Sequence, residues 1–366
     1  LSVEEVSFGR DIRPLFSNHC FQCHGPDASA RQEGLRLDLR EAAVADRGGY
    51  AAIVPGDAEA SEVWRRISAE HADDRMPPVD GPKPQLTEAE KELVRRWIED
   101  GAVYEGHWAF KPPERSPVPE VADSSWPRNG IDSFILGRLE REGLLPNPEE
   151  SDPAKLLRRV FLDLTGLPPT PEEYAAFLAD IEPGAYERWV DRILTEEPYV
   201  TRYAERMTVP WLDAARYADT NGIHMDAGRQ MWAWRDWVLR AFRDNMPFDQ
   251  FIIEQLAGDL LPDRDGDSIT ATGFYRLGVW DDEPADRELA RYEYLDDILR
   301  TTGETFLGMT IGCARCHDHK IDPISAKDYY SMLSFFSDIS PHGKGNRNHV
   351  AISDPADKAA HEKAVA

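Results

Sequence analysis

Long apolar runs are absent from this 366-residue chain. Nothing approaches the roughly 20 consecutive apolar positions of a membrane-spanning helix, so no membrane span is predicted. Positive charge is short as well: 42 Lys and Arg face 67 Asp and Glu, a net charge of −25, and no basic patch is there to displace counterions from nucleic acid or an anionic lipid surface. That balance excludes nucleic acid as a partner and leaves a cationic protein partner compatible, although solubility in a salty or extracytoplasmic setting is the simpler reading. Sustained period-2 alternation is missing beyond short pieces such as Ile269 to Tyr275, which argues for a mainly α fold. Cysteine is limited to four residues, and no internal repeat is visible beyond the one they form. What is present, 41% apolar residues and ten Trp, suffices for two or three globular domains.

All four cysteines fall in two copies of one pattern, Cys20-Phe-Gln-Cys23-His24 and Cys313-Ala-Arg-Cys316-His317. The spacing is that of covalent c-type haem attachment, in which two thiols form thioethers to the porphyrin and the adjacent histidine becomes an axial iron ligand. A four-thiolate zinc site or a thioredoxin-like redox pair also uses Cys-x-x-Cys, but neither needs a histidine directly after each second cysteine. The expectation is therefore two covalently bound c-type haems, attached at Cys20, Cys23, Cys313 and Cys316, with His24 and His317 as proximal ligands. Such haem is assembled outside the bacterial cytoplasm, so a periplasmic or extracellular protein is expected. Leu1-Ser-Val-Glu-Glu has neither a charged start nor an apolar stretch, and the chain is expected to begin after a signal peptide already removed.

Four segments are expected. Residues 1–106 form a first helical domain that ends in an amphipathic helix. Thr87-Glu-Ala-Glu90 reads as a capping box, Leu93, Val94, Trp97 and Ile98 recur at helical spacing, Gly101 stops the helix, and the helix is expected to pack against the first haem. Residues 107–129, with Lys111-Pro-Pro, Ser116-Pro-Val-Pro119 and Trp126-Pro127, read as a Pro-rich linker. Residues 130–341 form a larger, mostly helical haem-binding domain, with helix starts at Asp152-Pro153 and Thr170-Pro171, and aromatics at helical spacing from Trp232 to Phe251 that read as core or haem wall. Residues 342–366 read as a poorly structured tail or the start of a missing C-terminal region.

Met76, in Arg75-Met76-Pro77-Pro78, is the candidate sixth ligand of the first haem, because two prolines keep its loop from becoming helical and can present the thioether. His19, next to Cys20, and His71, in a charged stretch, are rivals less well placed. The second motif has no Met-Pro-Pro loop after it, and its candidates are His319, His224, Met225, Met309 and Tyr275. His319 follows His317 too closely to cross easily to the far iron face, and a supporting role beside the proximal ligand suits it better. His224 and Met225 sit in the loop Asn221 to Asp226. Asp219, Arg216, Arg235, Asp236 and the run Asp281-Asp-Glu283 read either as proton-moving groups beside an open iron or as ion pairs that hold helices together.

From Phe8 through Gly25, with Arg75 to Pro78 and the Trp97-Ile98 helix, the chain resembles the planctomycete-type cytochrome c module. Asp163 to Pro169, Ala215 to Asp219, Arg235 to Val238, Gln255 to Asp259 and Cys313 to Lys320 are similar to the module that follows it in secreted bacterial multihaem proteins, a former domain of unknown function. The resemblance implies a class I cytochrome c-like first domain, a secreted cytochrome often encoded among polysaccharide-degrading enzymes, and a further C-terminal domain beyond residue 366. Its His-x-His-Lys motif includes His319; His224 and Met225 fall outside its motifs.

Three readings follow. The first is electron transfer, a His/Met-ligated haem relaying electrons between a second haem and a soluble or attached redox partner protein. The second is a haem oxidoreductase whose open second iron acts on peroxide or carbohydrate. The third has the second module bind extracellular polysaccharide through exposed aromatics.

Overall fold

The computed structural model describes residues 6–146, 152–224, 226–281, 283–339 and 362–365. Among these residues the protein is helical, with no β-strand and two isolated bridges, Ala51 with Ser61 and Thr220 with Gly228. The alternation at Ile269 to Tyr275 is not a strand. It is the helix Gly266–Ala271 followed by the 3₁₀ turn Thr272–Arg276. The reason is a capping box: Asp265 Oδ1 accepts from Ser268 N–H (2.8 Å) and Ser268 Oγ accepts from Asp265 N–H (2.9 Å), which commits the chain to a helix at that point.

The chain divides into two compact units, Leu1–Arg115 with Ile311–Met332, and Ser116–Thr310 with Leu333–Ala366. The first break falls inside the Pro-rich stretch. By contact, the Cys313–His317 segment, expected within a domain over 130–341, packs with the first unit. Of the tail from residue 342, only 362–365 lies within the described residues.

In the first unit, the π-helical turn Phe8–Ile12 leads into the helix Arg13–His19 and the single turn Phe21–His24, and the helix Glu88–Glu99 packs back on that start. The capping box opens this last helix: Thr87 Oγ1 accepts from Glu90 N–H (3.3 Å) and Glu90 Oε2 from Thr87 N–H (2.7 Å). Its buried face, Val94, Trp97 and Ile98, meets Phe8 and Phe16, with the Trp97 ring 5.5 and 5.8 Å from those rings, and Trp97 Nε1 donates to Val103 O at 3.1 Å. Tyr104 packs 4.2 Å from Phe8 and donates to Leu37 O at 3.0 Å. The helix thus closes the aromatic core of this unit rather than lining the cavity described below.

The second unit has two cores. Helix Pro153–Thr165, capped by Asp152 and stopped at Gly166 (φ 72°), and helix Pro171–Ala179, capped by Thr170 with Glu173, pack with Ala185–Thr195 and Tyr199–Ala214 around Leu157, Phe161, Trp189 and Ile193. The other core is built on helices Trp232–Arg243 and Phe248–Ala257, with Trp237 stacked on Phe251 at 5.2 Å and 8°. These rings fill a core.

Candidate haem sites

Helix Arg13–His19 runs directly into the first motif. Cys20 keeps helical dihedrals (φ −119°, ψ −41°), and its carbonyl accepts from His24 N–H at 2.8 Å and Cys23 N–H at 3.1 Å, which folds both cysteines and the histidine into one turn. Gly25 ends it in extended conformation. A Cβ there would lie 2.3 Å from Phe21 O and 2.7 Å from Phe21 Cβ, so only glycine lets the chain leave the turn at that angle. The following loop returns over the motif through Gln32 N–H to Cys23 O (2.8 Å) and Leu37 N–H to His24 O (2.9 Å).

A cavity of ≈ 440 Å³ opens beside this turn, within the size range of sites for sizeable organic ligands. Cys20, His24 and Met76 share its wall with the apolar Leu35, Leu37, Ala52, Val63 and Ile67. His24 Nδ1 is buried without a hydrogen-bond partner. Burial first, then the charge of Arg47, holds the His24 pKa below the ordinary imidazole range and keeps the ring in the neutral form that donates a lone pair to a metal. Met76 is held facing the cavity by its backbone, Met76 N–H to Arg66 O at 3.0 Å, and by Arg75, which donates to Ala69 O (2.7 Å) and Glu70 O (2.9 Å). The rival histidines are elsewhere. His19 Nδ1–H donates to Pro84 O at 2.9 Å and His71 is exposed. A half-open, largely apolar cleft with a thiol, a neutral imidazole and a thioether on its wall fits an iron porphyrin.

The ligand set of a zinc site is not gathered here among the described residues. Burial, with the neighbouring Cys23 adding to it, pushes the free Cys20 thiol up to about 12. The four cysteines are unbonded, and among the described residues no group of three or more His, Cys, Asp or Glu is gathered for a metal ion.

The second motif is built otherwise. Ile311–Arg315 is a 3₁₀ turn, and Cys313, Cys316 and His317 are all exposed. His317 Nδ1 lies 2.8 Å from Asp318 O. A carbonyl only accepts, so Nδ1 carries the proton and Nε2 keeps its lone pair, the tautomer an iron ligand requires. The loop after it is knotted onto the helix that carries Cys20: Arg13 Nε donates to Ile321 O (3.0 Å) and Ser17 Oγ to Lys320 O (3.3 Å), from one face of helix Arg13–His19. His107 Nε2 meets Asp322 Oδ1 at 3.1 Å. His319 is buried, and its Nδ1 accepts from Asp322 N–H (2.8 Å) and Ile321 N–H (3.3 Å), so the ring shapes the loop through that nitrogen. The flanks of the two motifs face each other across a second cavity of ≈ 200 Å³, with Phe21 and Pro26 on one side and Asp318, His319 and Ile324 on the other. Asp27, held below the carboxylate range mainly by Ser29, also senses His317.

The remaining candidates lie in the second unit. His224, at φ 55°, pairs with Asp281 at 2.9 Å, and Tyr275 donates its hydroxyl to Leu256 O at 2.7 Å within the core. Met309 is half-buried, and Met225 lies outside the described residues. The charges read as a proton-moving pocket are engaged with their neighbours: Arg216 with Asp297 (2.7 Å), Arg235 with Asp236 (2.9 Å), and Asp219 with the Tyr217 hydroxyl (2.6 Å). Burial and that carboxylate push Tyr217 up to about 12. Arg229 adds four bonds to the carbonyls of Ala218, Arg276, Leu277 and Gly278. These charges hold loops and helices together. Sequence reasoning missed Arg47, on the wall of the first cavity, and the His107–Asp322 pair; neither has a local motif to announce it.

Residues 20–80 match the family described as planctomycete cytochrome C, and residues 130–341 match PSCyt2, described as a protein of unknown function (DUF1549). The order is the one the sequence resemblance implied, and the first match gives the chain a c-type cytochrome domain. No curated protein and no solved structure matches the chain. Among the described residues no helix is long and apolar enough to cross a membrane.

Proposed function

This chain belongs to the PSCyt2 family and carries a planctomycete cytochrome c domain ahead of that region, and from this premise we propose that it is a dihaem c-type cytochrome that transfers electrons outside the cytoplasm. The observation that carries the reading is a cavity whose wall holds Cys20, a neutral His24 and Met76. Bound haem supplies a reversible one-electron couple, which histidine and methionine ligation sets at a raised potential. The residues do the rest. Cys20 and Cys23 would tether the porphyrin, His24 would offer its lone pair, Met76 would offer its thioether, and the apolar wall would limit the access of water. The helix Arg13–His19 leads into the first motif and holds the loop after the second, so one rigid element fixes both attachment points in the first unit. The partner this requires is a separate or attached redox protein, and the acidic surface suits a cationic one.

Mass spectrometry of the chain matured with haem should show two added porphyrins, and the paramagnetic resonance spectrum a low-spin first iron. Met76→Ala should lower the potential of that iron and let cyanide bind. An unchanged potential and spectrum would remove Met76 from the ligand set. A second reading, an oxidoreductase with an open second iron acting on peroxide or carbohydrate, draws on one observation: Cys313, Cys316 and His317 are exposed, while His319, His224 and Tyr275 are all engaged in other contacts. A high-spin component that responds to peroxide would favour it.

A further inference from the structure

The charged side chains on the wall of the first cavity are Glu33, Arg47, Glu62, Arg65 and Arg66. Glu62 accepts from Arg65 at 3.0 Å and from Arg66 at 2.7 Å, and Arg66 also reaches Asp74 at 3.5 Å. Neither Glu33 nor Arg47 has an ion-pair partner among the described residues, and Arg47 is the only base of the five in that position. It is half-buried, donates to the backbone carbonyl of Glu33, and has no carboxylate within ion-pair distance among the described residues. A guanidinium without a counter-charge at the edge of an apolar cavity is unfavourable on its own account, and it runs against a chain in which acids outnumber bases 67 to 42. Its position is built in. Arg47 N–H donates to Tyr50 O at 2.8 Å across a turn whose Gly49 (φ 98°) donates to Asp46 Oδ1 at 2.8 Å, which aims the loop at the cavity. The same wall carries the aliphatic Leu35, Leu37, Val63 and Ile67.

A wall with these aliphatic side chains and one unpaired guanidinium fits a ligand with an apolar ring and a peripheral carboxylate. We infer that Arg47 is the carboxylate-binding residue of this cavity and holds a propionate of the haem attached at Cys20 and Cys23. The inference rests on the haem reading of that cavity and adds the residue that sets the porphyrin's rotation and part of its electrostatics. Arginine suits the task because its planar fork can meet both carboxylate oxygens.

The test uses the full chain with Cys313→Ala and Cys316→Ala, so that only the first haem is read, and follows its reduction optically between about pH 5 and pH 8, across the range where an unpaired carboxylate in a protein site comes to titrate. With Arg47 present, the propionate stays ionised and the midpoint is flat with pH. R47Q should lower the midpoint at neutral pH, because a positive charge that favours the ferrous state is gone. It should also make the midpoint fall as pH rises, because the unpaired propionate now titrates in that window. R47K, which restores the point charge, should return the flat profile. R47Q with bound haem and the unaltered profile overturns the inference. If R47Q does not retain haem, R47K decides: recovery of haem and of the flat profile supports it, and failure to recover them overturns it. A chain with Arg47 intact that takes up no haem would instead refute the haem reading itself.

Discussion

The two Cys-x-x-Cys-His motifs share a pattern but not a setting. The first is a turn of α-helix in the wall of a cavity, its histidine half-buried with a methionine on the same wall. The second is a 3₁₀ turn on the surface, its histidine oriented by the carbonyl of the next residue. The residue after each histidine expresses the difference. Gly25 is forced by a backbone approach that no side chain survives, whereas Asp318 uses its carboxylate to accept from Ala326 N–H at 2.9 Å and so closes a loop. Attachment chemistry is thus set by five residues, and what a haem would do there is set by the elements that surround them. A walled site with two axial candidates suits electron storage and relay; an exposed one with a single candidate suits exchange with something outside the first unit.

The sharpest way to break this comparison is to remove each tether. Cys20→Ala with Cys23→Ala should cost the first haem and much of the stability of the first unit, because the cavity is left unfilled. At roughly 24 cal/mol per Å³, 440 Å³ sets a ceiling of about 10 kcal/mol, which collapse of the open side will reduce. Cys313→Ala with Cys316→Ala should cost the second haem and shift the thermal midpoint far less. Calorimetry with haem counting by mass checks both, and equal losses of stability would erase the distinction between a walled and a surface site.

Next in size is the glycine. Gly25→Ala should destabilise the first unit by about 1–3 kcal/mol, at the upper end because the clash is with backbone, and should reduce haem uptake at Cys20 and Cys23. Asp318→Ala, the corresponding position of the second motif, removes one hydrogen bond at a helix start and should cost about 1 kcal/mol. Denaturant titration of the two variants tests the order; the reverse order would mean that the second turn is the more tightly determined.

Much of this could be read from the residues. The helical class followed from the missing alternation, and the helix starts at Thr87, Asp152 and Thr170 from side chains that bond the first turn, since capping is local and leaves a local signature. The attachment turns announce themselves by spacing. What stayed hidden depends on contacts between residues distant in the chain. The placement of Cys313–His317 in the first unit rests on Arg13 and Ser17 donating to the carbonyls of Ile321 and Lys320, and a carbonyl carries no side-chain identity for a sequence to display. Arg47 looks like any surface arginine until the cavity is drawn around it. At Ile269 to Tyr275 the polar residues ahead of it, from Asp265, outweigh a weak alternation and the segment is helical, in keeping with the mainly α class.

The smallest expected effect bears most directly on how the second motif is held. His107 and Asp322 are 215 positions apart, the His107 side chain is buried, and Asp322 also donates its N–H to His319, so this pair pins the loop that follows His317. His107→Ala should cost about 1 kcal/mol, the usual worth of one hydrogen bond, since Asp322 is only partly buried and keeps His319 within reach. Asp322→Asn, which keeps shape and one acceptor, should cost less. Neither should alter the optical spectrum or potential of a haem at Cys20 and Cys23, since neither residue lines that cavity. Both should broaden the signal of an iron at His317 and raise amide exchange across 318–326. Unchanged exchange in that loop would show that Arg13 and Ser17 hold it alone, and a matching change at the first iron would show that the two sites are one mechanical unit rather than a walled site with a surface site fastened to its helix.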